Sequence, residues 1–217
     1  MSFYTVIGLG RFGSRLAAEL YAHDADVLAI DLQESMVNQI ADHVTRAAVA
    51  DAKNKDVLRA LGVQDCDCAI VSIGSDLAGS VLITMNLKAL GVKKIICKAH
   101  DELHREILEK LGADQIIIPE HVVADKLAVN LTSPDVLEYI NLSSDYGILE
   151  LKTPKSWQGN TLRGLKIRTN YGVTIIAIRT GEQIRVSPEP DSVINEKDVL
   201  VVLGDYPSLE RLKDGRI

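Results

Sequence analysis

The first 118 residues alternate between short β-rich runs and segments with helical spacing, and this alternation constrains the fold more than any other feature. The β-rich runs cover residues 3–7, 26–30, 44–49, 68–73, 94–98 and 115–118. Three of the helical segments stop at Gly62, Gly91 and Gly112, and glycine is a common residue just after a helix C-terminus. The alternation predicts βαβ units, hence an α/β domain with a Rossmann-type, doubly wound parallel sheet.

The pattern changes after Pro119. Residues 120–132 predict one more amphipathic helix, which ends before Ser133 and Pro134. Beyond that helix, strand-like runs cover residues 147–151, 171–178, 183–186 and 199–203, and short helical pieces cover 161–165 and 207–212. We therefore predict a Rossmann domain at 1–119, a connecting helix at 120–135 and a second, smaller α+β C-terminal domain at 136–217.

The stretch VIGLGRFG, residues 6–13, follows the first predicted strand and opens a helix. Gly8 permits a tight turn, Gly10 lets a diphosphate approach the backbone, and Gly13 lets the helix pack closely on the strand. The helix N-terminus then offers free N–H groups to the phosphates. The stretch predicts an adenine nucleotide site, and the alternative is a plain strand–helix turn.

Residues at the carboxyl ends of the other strands extend this predicted site. Asp31 has the spacing of an acid that hydrogen-bonds ribose hydroxyls, which disfavours NADP; the alternative is a solvated strand end. Asp51 is placed to reach the adenine amino group, and Gly74 and Ser75 to lie over the ribose and phosphates, although Asp76 could simply be a helix N-cap there. The predicted cofactor-binding set is Gly8, Leu9, Gly10, Phe12, Gly13, Asp31, Leu32, Asp51, Ala52, Ser72, Ile73, Gly74 and Lys98.

Charge and composition exclude several classes of protein. Lys and Arg number 24 against 30 Asp and Glu, a net charge of −6, so we expect neither a nucleic-acid polymer as partner nor docking by charge on an anionic membrane. Apolar stretches are shorter than the ~20 residues that cross a bilayer, and no signal-type leader is visible. Cys66, Cys68 and Cys97 lack disulfide or metal spacing, so we expect small buried thiols in a reducing cytoplasm.

A catalytic centre is not visible. A dehydrogenase needs a proton-transfer group beside its substrate, yet residues 134–217 contain no His and no Cys. His100 and His104 have i, i+4 spacing, but the charges around them predict a solvated helix start rather than a metal site. Nucleotide binding without visible catalysis predicts a sensor and not an enzyme.

The chain resembles the cytosolic gating subunits of bacterial potassium uptake systems of the Ktr/Trk type, which are built from domains called regulators of conductance of potassium (RCK). The resemblance in the first half is carried by VIGLGRFG, AIDLQE, AVADA, VSIGSD and GADQIIIPE. In the second half it is carried by LRGLKIRTNYGVTIIAI, VSPEPDSVI and EKDVLVVLGD. It therefore covers essentially the whole chain.

The resemblance implies a cytoplasmic homodimer formed through the connecting (crossover) helix. Four dimers make an octameric ring under a membrane channel dimer, at the inner face of the membrane and without inserting into it. ATP and ADP bind in the glycine-rich cleft and favour different states, and some members bind NAD(H). Arg11 matches a position whose guanidinium reaches the γ-phosphate in the neighbouring subunit; the alternative is a solvated helix start.

Glu120 matches a family acid at the dimer interface, near the nucleotide, where a divalent cation such as Mg²⁺ or Ca²⁺ can bind. The alternative is a carboxylate favoured by the helix dipole. The C-terminal domain resembles the module that binds cyclic di-AMP in some members. Ile167, Arg168 and Pro188 match that pocket, whereas Thr174 stands where binders often have Asn. The alternative is that Ile167 and Pro188 belong to the core of the small domain.

We therefore predict a regulatory subunit of a potassium uptake channel or transporter. Two rival functions stay open at the level of sequence. One is an NAD-dependent oxidoreductase, which the missing acid–base group disfavours. The other is a related sensor that regulates a different ion transporter, because the membrane partner is a different chain.

Overall fold

The computed structural model describes residues 2–74, 76–133 and 135–213. The chain divides into two compact units, Met1–Pro119 and Glu120–Ile217, and each has its own hydrophobic core. Among the described residues, no helix combines the length and the apolar character that crossing a bilayer requires.

The first unit is a parallel sheet with helices on both faces. Its strands are β1 Phe3–Ile7, β2 Asp26–Asp31, β3 Arg46–Val49, β4 Cys68–Val71, β5 Ile95–Lys98 and β6 Gln115–Ile117. They lie in the order β3-β2-β1-β4-β5-β6, and every neighbouring pair is parallel. The helices are α1 Arg11–Ala22, α2 Glu34–Ile40, α3 Lys55–Ala60, α4 Leu77–Ala89 and α5 Glu102–Lys110. The predicted Rossmann-type class is confirmed.

Apolar side chains cover both faces of this sheet. On one face Leu58 of α3, Ile83 of α4 and Leu108 of α5 are buried in one cluster. On the other face Ala17 of α1 and Val37 of α2 are buried in a second cluster. Because both faces are covered, a central strand such as β4, with the sequence CAIV, is buried at every position.

Several boundaries in the first unit differ from the sequence-based expectation. Helix α2 was not predicted; it is a short element in which Val37 and Ile40 are buried and Met36 packs partly buried beside them. Strand β3 begins at Arg46 rather than at residue 44, because the hydroxyl of Thr45 accepts a hydrogen bond from the Val27 amide at 3.0 Å in place of a ladder bond. Strand β4 ends at Val71, so the residues after it belong to the turn that follows.

In its described residues, the second unit is an antiparallel sheet with one long helix, which begins at the last residue of the first unit, and three shorter α-helices. Its elements are α6 Pro119–Thr132, β7 Val136–Asn141, β8 Tyr146–Lys152, α7 Leu162–Leu165, α8 Ile167–Tyr171, β9 Val173–Thr180, β10 Gln183–Val186, β11 Asp198–Asp205 and α9 Tyr206–Lys213. The five strands lie in the order β10-β9-β11-β8-β7. Trp157, Leu149 and Leu200 are fully buried at the centre of its core. A smaller α+β second domain is what the sequence predicted.

Two elements of the second unit were missed. Strand β7 carries Glu138 and Asn141 among its apolar residues, and its sequence, VLEYIN, lacks a clear alternation. Helix α8 occupies the start of the predicted strand at 171–178, so β9 begins only at Val173. The cause is local: Lys166 has a φ of 49°, and this left-handed residue turns the chain into a new helical turn.

The three cysteines are free and buried, as expected from their spacing. Burial raises the pKa of the Cys68 thiol to about 11 and also raises the pKa values of Cys66 and Cys97. These thiols are therefore protonated near neutral pH and behave as small core side chains.

The prediction that His104 lies on a solvated helix start was wrong, because its side chain is fully buried. Asp101 caps α5 by accepting the His104 amide at 2.8 Å, and this cap turns the imidazole inward. Its Nδ1 lies 2.9 Å from Nδ1 of His100, and its Nε2 lies 3.2 Å from the hydroxyl of Ser80 on α4. Burial lowers the pKa of His104, and the neighbouring His100 lowers it further.

We expect the stability of the first unit to fall in mild acid through His104. The pKa of this histidine is 6.5 when unperturbed and lower in the fold. Between those two values the unfolded chain binds more protons, so the free energy of unfolding decreases as the pH falls below about 6.5. Urea unfolding between neutral pH and pH ~5.5 measures this dependence. His104→Gln should flatten it, and the exposed control His23→Gln should not; equal slopes for all three proteins would contradict the prediction.

Candidate functional site: a nucleotide-sized cavity at the glycine-rich turn

A cavity of ≈ 380 Å³ lies at the carboxyl ends of the first four strands. Open α/β sheets hold ligands in this crevice, and the volume falls within the range of small-molecule sites. Nine residues of the predicted cofactor set line it: Gly8, Gly10, Asp31, Leu32, Asp51, Ala52, Ser72, Ile73 and Gly74. The remaining members of that set, Leu9, Phe12, Gly13 and Lys98, are not among the lining residues.

Two glycines of the turn are required by the fold itself. Gly8 has a φ of 93°, and a Cβ there would lie 2.9 Å from the carbonyl oxygen of Ser72. A Cβ on Gly13 would overlap the carbonyl oxygen of Gly8, because α1 packs directly on the turn. These positions fix the shape of the turn with or without a ligand.

Gly10 is different, because the packing of the protein does not explain it. It has a φ of −65°, which any residue adopts, and a Cβ built there meets no atom of the described residues within 4 Å. Gly10 is the N-cap of α1 and lines the cavity. The position that a Cβ would take is therefore open space. The fold does not require glycine at this position. A ligand such as a diphosphate does, because it can approach the main chain closely only where no side chain is in the way.

The N-terminus of α1, a helix that the structure describes completely, lacks both a side-chain cap and an acidic residue in its first turn. The first N–H groups of any helix have no intrahelical acceptor, and at this end neither a cap side chain nor a nearby carboxylate in the first turn compensates them or the positive end of the helix dipole. Together with the open side of Gly10, this end of the helix is suited to an anion such as a diphosphate.

The Asp31 carboxylate lies beside this helix end and is held by two backbone amides. Its Oδ2 accepts the Leu9 amide at 2.6 Å, and its Oδ1 accepts the Gln33 amide at 2.8 Å. The first bond ties the end of β2 to the glycine-rich turn. Each carboxylate oxygen has further acceptor capacity, so Asp31 can also receive hydrogen bonds from the hydroxyls of a ribose.

The other members of the predicted set do not line the cavity. The side chain of Leu9 is fully buried in the core beneath α1, so only its backbone faces Asp31. Arg11, for which the resemblance implies a phosphate contact, does not line the cavity either and is the exposed first residue of α1. Lys98, at the end of β5, places its Nζ 6.0 Å from the ring centroid of Phe12.

Sequence reasoning missed Lys53, and for Asp76 it left a ligand contact and a helix cap as alternatives; both residues line the cavity. The cap is present, since Asp76 Oδ1 accepts the Gly79 amide at 2.8 Å. Its Oδ2 lies 3.0 Å from Nζ of Lys53. The Gly79 amide, and next the Lys53 ammonium, lower the pKa of Asp76. The position of Lys53 in the sequence could have identified it, because it lies two residues after Asp51 in the loop that follows β3. Ser75 lies outside the described residues.

A second cavity, of ≈ 360 Å³, lies in the second unit. The structure brings together all four residues of the predicted second-ligand site, since Ile167, Arg168, Thr174 and Pro188 all line it. Two further cations line it that the sequence did not single out, Arg163 and Lys166. Arg163 is paired through Nε with Asp191 at 2.8 Å.

Glu120 is exposed in the first turn of α6 and belongs to the second unit. In the described part of the chain, no group of three or more His, Cys, Asp or Glu side chains is arranged to hold a metal ion. A cation at Glu120 would thus need ligands beyond those that the described residues of one chain bring together.

Comparison with known proteins identifies the family. The TrkA-N domain family matches residues 4–119, and the TrkA-C domain family matches residues 148–214. The Ktr system potassium uptake protein C of Bacillus subtilis is 38% identical over 97% of this chain and 95% of its own length. The Ktr system potassium uptake protein A of the same organism is 38% identical with the same two coverages.

The chain belongs to the TrkA-type family of Ktr and Trk potassium uptake proteins. Both relatives are named as potassium uptake proteins, that is, as components of transport systems and not as enzymes. Among solved structures, the GsuK channel has a TM-score of 0.71 at 19% identity over 98% of this chain, and the GsuK RCK domain has 0.66 at 17% over 98%. This chain spans 39% and 47% of those two chains. At such identities the likeness shows the RCK fold alone.

Substitution of Gly10 in this TrkA-type protein should separate binding from folding. We expect Gly10→Ala to change the free energy of unfolding by no more than about 1 kcal/mol, the usual cost of an altered helix cap, and to weaken ADP binding at least about tenfold. Gly13→Ala is the matched control, because it should destabilise the fold by about 2 kcal/mol or more. Calorimetric titration and urea unfolding measure the two effects. Unchanged ADP affinity in a folded Gly10→Ala protein would refute the ligand role of Gly10.

Proposed function

We propose that this regulatory subunit senses adenine nucleotides in its first cavity and transmits their state to a membrane potassium channel or transporter. The observation that carries the proposal is the open backbone at Gly10, next to an uncapped helix N-terminus and to the Asp31 carboxylate. Backbone amides would hold a diphosphate, and Asp31 would hold the ribose. ATP, ADP and NAD(H) all share this adenosine diphosphate portion.

ATP and ADP differ only in one phosphate, so only contacts to that phosphate can favour one state of the assembly over the other. Arg11 is the residue that we assign to this contact. It is exposed on α1 and does not line the cavity of its own chain, which is compatible with a γ-phosphate held by a neighbouring subunit. A guanidinium is suited to such a contact because its planar fork binds phosphate oxygens in pairs.

NAD(H) is a second ligand class for the same cavity. One neighbour by fold is described as the GsuK channel bound to NAD, with a TM-score of 0.54 at 23% identity. In this chain, the Asp31 carboxylate disfavours the additional 2′-phosphate of NADP through like-charge repulsion. NAD(H) would occupy the adenosine and diphosphate contacts that ADP uses, so the two ligands would compete.

The proposed assembly is a homodimer joined through α6 and extended to an octameric ring. Four large apolar side chains of α6 are exposed in the single chain, namely Val122, Val123, Leu127 and Leu131, with exposed fractions between 54% and 74%. Exposed apolar side chains in such number on one helix are typical of a contact with another protein. The ring would lie in the cytoplasm, at the inner face of the membrane, and reach the membrane only through its partner.

Two further ligands belong to this proposal. The cations Arg163, Lys166 and Arg168 around the second cavity suit a ligand with two phosphates, which supports cyclic di-AMP there. Its apolar wall, with Ile167 and Pro188, would receive an adenine ring. A divalent cation such as Mg²⁺ or Ca²⁺ at Glu120 would be shared with the bound nucleotide or with a second subunit.

The role of Arg11 gives the direct test. We expect Arg11→Ala to lower ATP affinity about tenfold while leaving ADP affinity nearly unchanged, because only ATP carries the phosphate that the guanidinium contacts. Calorimetric titrations with ATP and with ADP measure the ratio. Arg15→Ala is the matched control: Arg15 is on the same helix, but its partner is Glu19 at 2.6 Å. If both affinities fall equally in Arg11→Ala, the sensing role is wrong.

A further inference from the structure

The polar couple formed by Lys53 and Asp76 has no role in the binding scheme described so far. Lys53 lies just after β3 and Asp76 just before α4, which follows β4. In the sheet, β3 and β4 are separated by β2, which ends at Asp31, and by β1, which ends at Ile7 just before Gly8. The ion pair therefore joins the loop after β3 to the loop after β4, and both loops contribute to the lining of the first cavity.

Both members of the couple are held in place independently of their own contact. Asp76 is fixed by the Gly79 amide on its other carboxylate oxygen. The backbone of Lys53 is fixed at both ends, since its N–H donates to Asp51 Oδ1 at 3.0 Å and its C=O accepts Asn86 Nδ2 at 2.9 Å. Both side chains are 44% exposed, so a bound ligand can reach them.

The contacts of the ribose and diphosphate leave one part of the cavity for the base. If the turn at Gly8 and Gly10 holds the diphosphate and Asp31 holds the ribose, the base must lie against the lining residues that those two groups do not use. The apolar members of the cavity lining suit the faces of a purine ring and include Met36, Ala50, Ala52, Ile73 and Ile83. Besides Asp31, the ionisable side chains that line the cavity are Asp51, Lys53 and Asp76.

We propose that Lys53 and Asp76 read the edge of the adenine base and so determine which purine the protein accepts. This inference rests on the proposed nucleotide function. The carboxylate of Asp76, rather than that of Asp51 as the sequence suggested, accepts a hydrogen bond from the 6-amino group, and the ammonium of Lys53 donates to N1, the ring nitrogen next to it. An ammonium has three donors and a carboxylate oxygen has spare lone pairs, so both can contact the base and keep their own bond.

Hypoxanthine tests this reading because it replaces the 6-amino group with a carbonyl. Its N1 also carries a hydrogen. The Asp76 carboxylate would then face an oxygen that cannot donate, and the Lys53 ammonium would face an N–H that cannot accept, so both hydrogen bonds to the base would be lost. We expect the wild-type protein to bind ADP at least about tenfold more tightly than inosine diphosphate, the change that the loss of one charged hydrogen bond brings.

Asp76→Asn should reduce this preference to about threefold or less, because its amide can turn its NH₂ toward the carbonyl of inosine diphosphate. Asparagine caps helices as well as aspartate does, so α4 should stay folded; Asp76→Ser, which also caps, is the second variant if the first is unstable. Asp67→Asn is the control, because Asp67 pairs with Lys93 at 2.9 Å and does not line the cavity.

The outcomes are separable by calorimetry with ADP and inosine diphosphate on the full chain. A reduced preference in Asp76→Asn and Asp76→Ser, with Asp67→Asn unchanged, supports the proposal. An unchanged preference in the Asp76 variants, or a loss in Asp51→Asn instead, overturns it. Absence of ADP binding to the wild-type protein would overturn the proposed function itself, and with it this inference.

Discussion

The hydrogen bond from the Leu9 amide to the Asp31 carboxylate, 2.6 Å long, is the interaction on which the candidate site depends. It joins the glycine-rich turn to the end of β2, while the amide of Gly8 reaches the carbonyl of Ile30 at 2.9 Å. The turn is thereby held to the neighbouring strand before a ligand arrives. A rigid turn favours binding, because its amides already point toward the phosphate site. Less conformational entropy of the turn is then lost when a ligand binds.

In the proposed sensor, one group of residues would provide the affinity for the nucleotide, and another would distinguish ATP from ADP. The turn, Asp31 and the cavity wall lie within one chain and would treat ATP and ADP alike. Discrimination must then come from groups outside the cavity, and Arg11 at the exposed start of α1 has that position. The second unit, with its own core and its own cationic cavity, would add an independent input to the same assembly.

The sequence was most informative where local chemistry decides the structure. Helices α3, α4 and α5 end two residues before Gly62, Gly91 and Gly112, and β1 has the predicted bounds. Nine site residues could be placed because parallel strands all end at one edge of the sheet. Apart from helix α8, which follows from the local conformation of Lys166, what the sequence missed at the site and in the core depends on tertiary contacts. Nothing local shows that the Asp101 cap buries His104, or that Lys53 meets Asp76, 23 residues away.

The central claim is that backbone amides of the glycine-rich turn bind a diphosphate, and the comparison of ADP with adenosine tests it most directly. Calorimetric titration of the purified full chain measures both affinities under one set of conditions. The claim predicts that ADP binds at least about 100-fold more tightly than adenosine, because the phosphates supply the contacts to the helix N-terminus. Adenosine binding as tightly as ADP, or no detectable binding of ADP, would contradict it.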